Sequence, residues 1–109
     1  MNDNFYIVRN IKLLIFELNK IIINYPRKEY LLVKRINNNM YDMLELVILF
    51  NIDKDIKYLK SAIGKIYMLD SYIEISFKYK YINQNQCNKL TKDLENIRKM
   101  LYGVLKNVK

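Results

Sequence analysis

The sequence predicts an all-α protein, an antiparallel four-helix bundle that runs up, down, up and down. Along almost the whole chain, apolar residues recur at alternating spacings of three and four, which is typical of amphipathic helices. Only two of the 109 residues are Gly and one is Pro. This disfavours β-sandwiches and barrels, because their many tight turns need these residues. Hydrophobic residues make up 51% of the chain, which excludes an intrinsically disordered protein. Because 109 residues is close to the common size of one domain, we expect residues 1–109 to fold as a single domain.

The first predicted helix ends at the only proline of the chain. Its core-facing apolar positions run from Val8 to Tyr25. Pro26 has no N–H to donate and restricts Tyr25 to extended backbone, so the helix is expected to stop there. Because proline is well tolerated in the first turn of a helix, a second helix is predicted over about residues 27–51.

Different signals mark the starts of the third and fourth helices. Neither Gly nor Pro marks the start of the third helix, which we place after residues 51–53 with Asp53 as its N-cap. Without this break, one helix over residues 27–81 would need partners along its whole length. Asn83 and Gln86 have the spacing of a capping box. The fourth helix is therefore expected to begin there and to bury apolar positions from Leu90 to Val108.

The residues needed for common catalytic and metal sites are missing from the chain. It contains no His and a single Cys, whereas a structural zinc site needs four such ligands. Gly64 and Gly103 are isolated within predicted helices, so no Gly-rich phosphate loop is formed. We predict no cofactor, no metal and no enzymatic activity. Asp70 falls on the inner face of the third helix, where we expect a structural hydrogen bond and not a catalytic role.

We expect neither a signal peptide nor a membrane-spanning helix. Its first ten residues contain Asp3 and three Asn in place of the basic and apolar regions of a signal peptide. No apolar run approaches the roughly 20 residues needed to cross a bilayer. A single reduced cysteine, Cys87, is typical of a cytoplasmic protein, and we predict that location.

Two helices carry apolar residues on the side opposite their core positions. Contiguous apolar patches on such a side usually mark an interface, so we predict a closed, symmetric homo-oligomer. The predicted interface residues are Leu13, Phe16 and Ile23 on the first helix and Met68, Tyr72, Ile75 and Tyr79 on the third. The alternative is that they are scattered surface residues in a chain rich in Ile and Tyr.

The positive charge is concentrated at the end of the chain. The net charge is +8, and residues 83–109 contain six basic but only two acidic residues. A basic stripe on a helix can follow a phosphate backbone and bind RNA or DNA without reading sequence. The predicted phosphate-contacting residues form two groups. The first is Lys92, Arg98, Lys99 and Lys106 on the fourth helix, with Lys109 and Tyr102 beside them. The second, near the start of the second helix, is Arg27, Lys28, Lys34 and Arg35. The alternative is a solvated face that only keeps the protein soluble. A membrane-surface role is less favoured, because the apolar face of the fourth helix is needed for the core.

Three stretches of the chain together resemble a known family of four-helix proteins. Residues 25–28 (Tyr-Pro-Arg-Lys) with the aliphatic run 30–36 resemble the turn between its helices one and two. Residues 58–62 with Leu69 resemble its third helix, and residues 81–83 and 94–103 resemble its closing helix. The family is that of the accessory variability determinant (Avd) proteins, which are partners of the reverse transcriptase in diversity-generating retroelements. The resemblance covers nearly the whole chain.

The resemblance implies a non-catalytic, barrel-shaped homopentamer with a positively charged surface. In the family this assembly binds nucleic acid and the reverse transcriptase and supports mutagenic reverse transcription. One position departs from the pattern, since this chain has Glu74 where the family often has Arg in the late third helix. Four-helix proteins encoded in ribosomal-RNA intervening sequences share the architecture, but residues 37–49 lack their signature. A protein–protein interaction module of that type, without a nucleic-acid role, is the alternative.

Overall fold

The amphipathic segments of the chain form four α-helices in the computed structural model, which describes residues 3–108. The helices are α1 (Asp3–Ile22), α2 (Tyr30–Asp53), α3 (Ile56–Lys78) and α4 (Gln84–Asn107), with a 3-10 helix (Arg27–Glu29) before α2. No strand occurs in the described range. The predicted all-α class with four helices is thereby confirmed.

One hydrophobic core is shared by all four helices. Its fully buried residues include Leu18 of α1, Met40 of α2, Ile66 of α3 and Leu101 of α4. Helix α1 packs against α2 and α4, while α3 packs against the same two helices. Among the described residues, the backbone of α1 does not come close to that of α3, nor that of α2 to that of α4. The helices therefore surround the core with α1 and α3 as one non-adjacent pair and α2 and α4 as the other.

Most of the predicted core positions are buried, with exceptions at the ends of helices. Val8 is half-buried against the core. Val108 is 44% exposed, because α4 ends at Asn107 and leaves it outside the last turn. Val104 is the last buried residue of α4 instead.

The second helical segment begins at Arg27, about where the sequence predicts, but its first turn is a 3-10 helix and not an α-helix. Pro26 has an extended backbone (φ −58°, ψ 144°), and the turn after it is a 3-10 helix in which the Glu29 N–H donates to the Pro26 carbonyl at 2.9 Å. The wider α-helical hydrogen bonding begins only at Tyr30. Arg27 and Lys28 consequently lie before α2 and not in its first turn.

The predicted N-cap of the third helix is wrong. Helix α2 continues through Asp53 and is ended by Lys54, whose backbone is left-handed (φ 60°) and whose N–H donates to the Phe50 carbonyl at 2.7 Å. Asp55 caps α3, because its carboxylate accepts from the Lys57 N–H at 3.0 Å. A lysine occupies the left-handed position where glycine is usual.

The predicted capping box of the fourth helix is confirmed. The Asn83 side chain accepts from the Gln86 N–H, and the Gln86 side chain accepts from the Asn83 N–H, both at 2.8 Å. The chain reaches this cap through Lys80, which is left-handed (φ 66°). The Tyr81 N–H then donates to the Ser76 carbonyl at 2.9 Å, which closes the end of α3.

Tyr81 links the turn before α4 to the turn before α2. Its ring centre lies 5.1 Å from that of buried Tyr25, and its hydroxyl donates to the Glu29 carboxylate. The hydrogen bond to Glu29 raises the pKa of Tyr81 to about 12. These contacts hold the two turns together.

Asp70 does not have the structural partner that the sequence predicts. It is half-buried on α3 and forms no hydrogen bond or ion pair with another described residue. Its partial exposure allows solvent to hydrate the carboxylate in place of a protein donor.

Replacing Lys80 with Gly should raise the free energy of unfolding by about 0.5–1 kcal/mol relative to Lys80→Ala. Both variants remove the charge, but only Gly removes the Cβ that disfavours the left-handed backbone at this position. Urea unfolding followed by circular dichroism measures the difference. Equal stabilities of the two variants would contradict the assigned left-handed strain.

Tyr81 should also make the stability depend on pH in the alkaline range. Its pKa is raised from 10.0 to about 12 in the folded protein, so its contribution is complete below pH 10 and is lost as the pH rises through 12. The free energy of unfolding should therefore fall more steeply between these pH values for the wild type than for Tyr81→Phe. Parallel slopes would show that the Tyr81–Glu29 hydrogen bond contributes nothing to folding.

Candidate nucleic-acid interface

The outward face of α4 carries a line of exposed lysines, Lys92, Lys99 and Lys106, which we call the basic stripe. Successive members are about two helical turns apart, so they lie on the same face. None of them forms an ion pair with another residue in the range 3–108. Their ammonium groups are therefore available to an external anion. Lys109, predicted beside them, lies outside the described residues.

Within α4, the net positive charge is concentrated in the second half of the helix. No acidic residue occurs between Arg98 and Lys109. Asp93, in the first half, is engaged by Lys89 at 3.0 Å. Lys106 lies in the last turn, where a cation is favoured by the partial negative charge of the helix end.

Arg98 differs from the lysines because it is held by its neighbours. Its side chain is only 27% exposed, and its Nη2 lies 3.9 Å from the Glu95 carboxylate. Its guanidinium lies 5.5 Å from the ring centre of Tyr67 on α3, within the range of a cation–π interaction. Arg98 is thus positioned at the contact between α3 and α4, beside the basic stripe.

Tyr67 and Tyr102 meet across this contact, a pairing that the sequence did not predict. Their hydroxyl oxygens are 3.2 Å apart, so one hydroxyl donates to the other. This hydrogen bond raises the pKa of Tyr102 above its ordinary value. Tyr67 is 48% exposed and Tyr102 is 43% exposed. We call Tyr67 and Tyr102 the tyrosine pair.

The other predicted cations lie on a different part of the surface. Arg27 and Lys28 are exposed in the 3-10 helix, and Lys34 and Arg35 are exposed on α2. Lys34 and Arg35 border a groove of about 360 Å³ between α2 and α3. In that groove Lys65 contacts Asp42 at 3.5 Å. Some of the local positive charge is therefore already neutralised.

The predicted phosphate-contacting residues are divided between two parts of the chain. Those near the start of the second helix belong to α2 and the turn before it, whereas the others belong to α4. Among the described residues α2 and α4 are not neighbours around the core, so the cations on α2 lie on a different side of the protein from those on α4. Glu74 is exposed on α3 and adds no positive charge there.

The predicted interface residues lie on two helices, α1 and α3, that are not neighbours around the core. On α1, Leu13 and Phe16 are exposed and line a groove of about 540 Å³ next to α4. Ile23 is 79% exposed but follows the end of α1.

On α3, Met68 and Ile75 are exposed, and Tyr79 is exposed directly after the helix. Tyr72 differs from the prediction, because it is half-buried and packs against the core. The apolar surface on this helix is therefore narrower than the sequence indicates.

No group of three or more His, Cys, Asp or Glu side chains is placed to hold a metal ion within the described part of the chain. None of the helices described for residues 3–108 is long and apolar enough to cross a membrane. Cys87 is half-buried and not in a disulfide.

Comparison with known proteins gives no family for this chain: neither a protein-family model nor a curated protein matches the sequence.

Proposed function

We propose that this protein is a non-catalytic, cytoplasmic accessory subunit that binds RNA and DNA without reading sequence and assembles as a homo-oligomer. Following the resemblance to the Avd proteins, its partner would be the reverse transcriptase of a diversity-generating retroelement, and its role would be to support mutagenic reverse transcription. The observation that carries the nucleic-acid part is the basic stripe, whose lysines have no acidic partner among residues 3–108.

Counterion release is the physical reason why this surface favours a polyanion. Each phosphate neutralised by a lysine frees condensed counterions, so affinity comes from charge and falls steeply with salt. The basic stripe offers several ammonium groups along one helix, and the net charge of +8 adds long-range attraction. Nothing in this arrangement requires contact with base edges, which is why we propose binding without sequence preference.

The antiparallel order of the proposed bundle is supported by side-chain pairs between neighbouring helices. Asn10, in the first half of α1, contacts Met100, in the second half of α4. Asp42 of α2 contacts Lys65 of α3. These two residues are separated by nearly the same number of positions from Lys54, which lies in the turn between the two helices. Pairing of this kind is expected for helices that run in opposite directions.

The homo-oligomer is supported by the position of the exposed apolar residues. Leu13 and Phe16 on α1 and Met68 and Ile75 on α3 belong to helices on different sides of the core. Two such faces suit a heterologous contact, in which α1 of one copy covers α3 of the next, and a ring satisfies every copy. The pentamer is the subunit number that the family resemblance implies.

Reversing the charge of Lys92, Lys99 and Lys106 to Glu should weaken the binding of RNA and DNA by about tenfold or more. The dependence of the binding constant on salt should also become shallower, by about one unit in the slope of log K against log salt for each phosphate that is no longer neutralised. Fluorescence anisotropy with a random-sequence RNA and a DNA at about 50 to 200 mM salt measures both quantities. Circular dichroism should show unchanged helicity, since these side chains are exposed.

A single reversal in the basic stripe, Lys99→Glu, has a matched control in Lys12→Glu. Both lysines are exposed on a helix and form no ion pair with another described residue, but Lys12 is on α1. We expect Lys12→Glu to have the smaller effect. Absence of any salt-dependent binding by the wild type would overturn the nucleic-acid proposal and leave the protein–protein interaction module as the better explanation.

Phe16→Glu and Met68→Glu should each reduce the mass in solution toward that of a single chain of 13.3 kDa. Each variant places a charge on one of the two apolar faces, and burial of an unpaired charge opposes association. Light scattering coupled to size-exclusion chromatography measures the mass. Ile52→Glu, at an exposed position near the end of α2, should leave it unchanged. A monomeric wild type at high concentration would refute the oligomer.

Co-purification tests whether a reverse transcriptase is a partner of this protein. The full chain, expressed with a reverse transcriptase encoded beside it, should retain that enzyme through a nuclease treatment and a salt wash. Loss of the enzyme under these conditions would limit the protein to nucleic-acid binding.

A further inference from the structure

The tyrosine pair presents two aromatic rings to solvent at the contact between α3 and α4. Tyr67 is 48% exposed and Tyr102 is 43% exposed, while their hydroxyls are joined at 3.2 Å. Among the described residues the two rings do not stack on each other, since they contact through their hydroxyls. Part of each ring surface is therefore uncovered.

Arg98 fixes the position of this pair beside the basic stripe. Its guanidinium lies 5.5 Å from the Tyr67 ring centre and is itself held by Glu95. A planar guanidinium is, like an aromatic ring, a surface on which nucleic-acid bases stack. The three side chains thus form one patch of planar groups.

The two glycines of the chain lie close to the pair in sequence. They are Gly64, one turn before Tyr67, and Gly103, directly after Tyr102. Both are exposed, and a Cβ added at either position would meet no atom within 4 Å apart from its chain neighbours and its own helix backbone. Neither glycine has a positive φ, so helix geometry does not require them. No side chain therefore covers the helix surface at these two positions.

We propose that Tyr67 and Tyr102, with Arg98, form a stacking platform for the bases of single-stranded nucleic acid. Lys99 lies one turn before Tyr102 and Lys106 one turn after it, so phosphates on either side of a stacked base reach a cation. The platform discriminates against duplexes, because paired bases are stacked on their neighbours and do not expose their faces. The inference rests on the proposed function and adds the preferred class of nucleic acid to it.

The test compares oligo(dT) and oligo(U) of about 15 nucleotides with a duplex of the same length, by fluorescence anisotropy at one salt concentration. The double variant Tyr67→Ala/Tyr102→Ala should reduce the affinity for the single strands by about 5- to 150-fold for each base that no longer stacks on a ring. Its affinity for the duplex should change less than about twofold, since the lysines still bind the phosphates.

Two matched variants separate stacking from other effects. Tyr67→Phe/Tyr102→Phe removes the hydroxyl contact but keeps both rings, and it should retain single-strand affinity. Tyr30→Ala/Tyr41→Ala removes two exposed tyrosines of α2 and should also leave this affinity unchanged. Loss of affinity in either would contradict the platform.

A fluorescent reporter tests the platform without removing an aromatic ring. The chain contains no Trp, so Tyr67→Trp introduces a single indole at the site. Its fluorescence should be quenched when oligo(dT) or oligo(U) binds and not when the duplex binds, whereas Tyr41→Trp on α2 should respond to neither.

The outcomes distinguish this inference from the proposed function. Equal loss of single-strand and duplex affinity in the alanine variant, or no quenching at Tyr67→Trp, overturns the platform while salt-dependent binding still supports the proposed function. No binding of any nucleic acid by the wild type overturns both. A preference for only one of oligo(dT) and oligo(U) supports the platform and identifies which single strand it favours.

Discussion

Burial of one apolar face from each helix in a common core determines which side chains the protein presents to solvent. Leu94, Ile97 and Leu101 of α4 are almost completely buried, and this fixes the rotation of the helix about its axis. A shift of the buried face by a single residue would turn α4 by about 100° and carry the basic stripe toward a neighbouring helix. The outward position of the three lysines therefore follows from core packing, and no contact made by the lysines themselves is needed to orient them.

The turns supply the second constraint, because they set how far one helix is displaced along the next. Between α3 and α4 the chain passes through left-handed Lys80 and the capping box of Asn83 and Gln86. Tyr81 anchors this turn on Tyr25 and Glu29. With the displacement fixed in this way, Tyr67 and Tyr102 come within hydrogen-bonding distance. A change in the length of the turn would separate them while leaving both helices amphipathic.

The sequence predicts those features that depend on neighbours along the chain. The helices, most buried positions and the Asn83 cap follow from spacing alone. The cap of α3 is harder to place, because Asp53 and Asp55 are equally suitable cap residues and a lysine, not a glycine, takes the left-handed position between them. The contact between the two tyrosines, and the placement of α2 and α4 on different sides of the core, depend on the order of helices around the core. Local periodicity contains no information about that order.

The separation of apolar and charged surfaces bears on how association and anion binding would work together. Leu13, Phe16, Met68 and Ile75 lie on α1 and α3, whereas the basic stripe lies on α4. Contact through the apolar faces would therefore not require desolvation of the lysines, which is costly for an unpaired charge. Copies that each carry +8 would still repel one another over roughly the 10 Å Debye length at 0.1 M salt. A nucleic-acid strand lying across several copies would remove that repulsion, so in the proposed assembly oligomerisation and binding would strengthen each other.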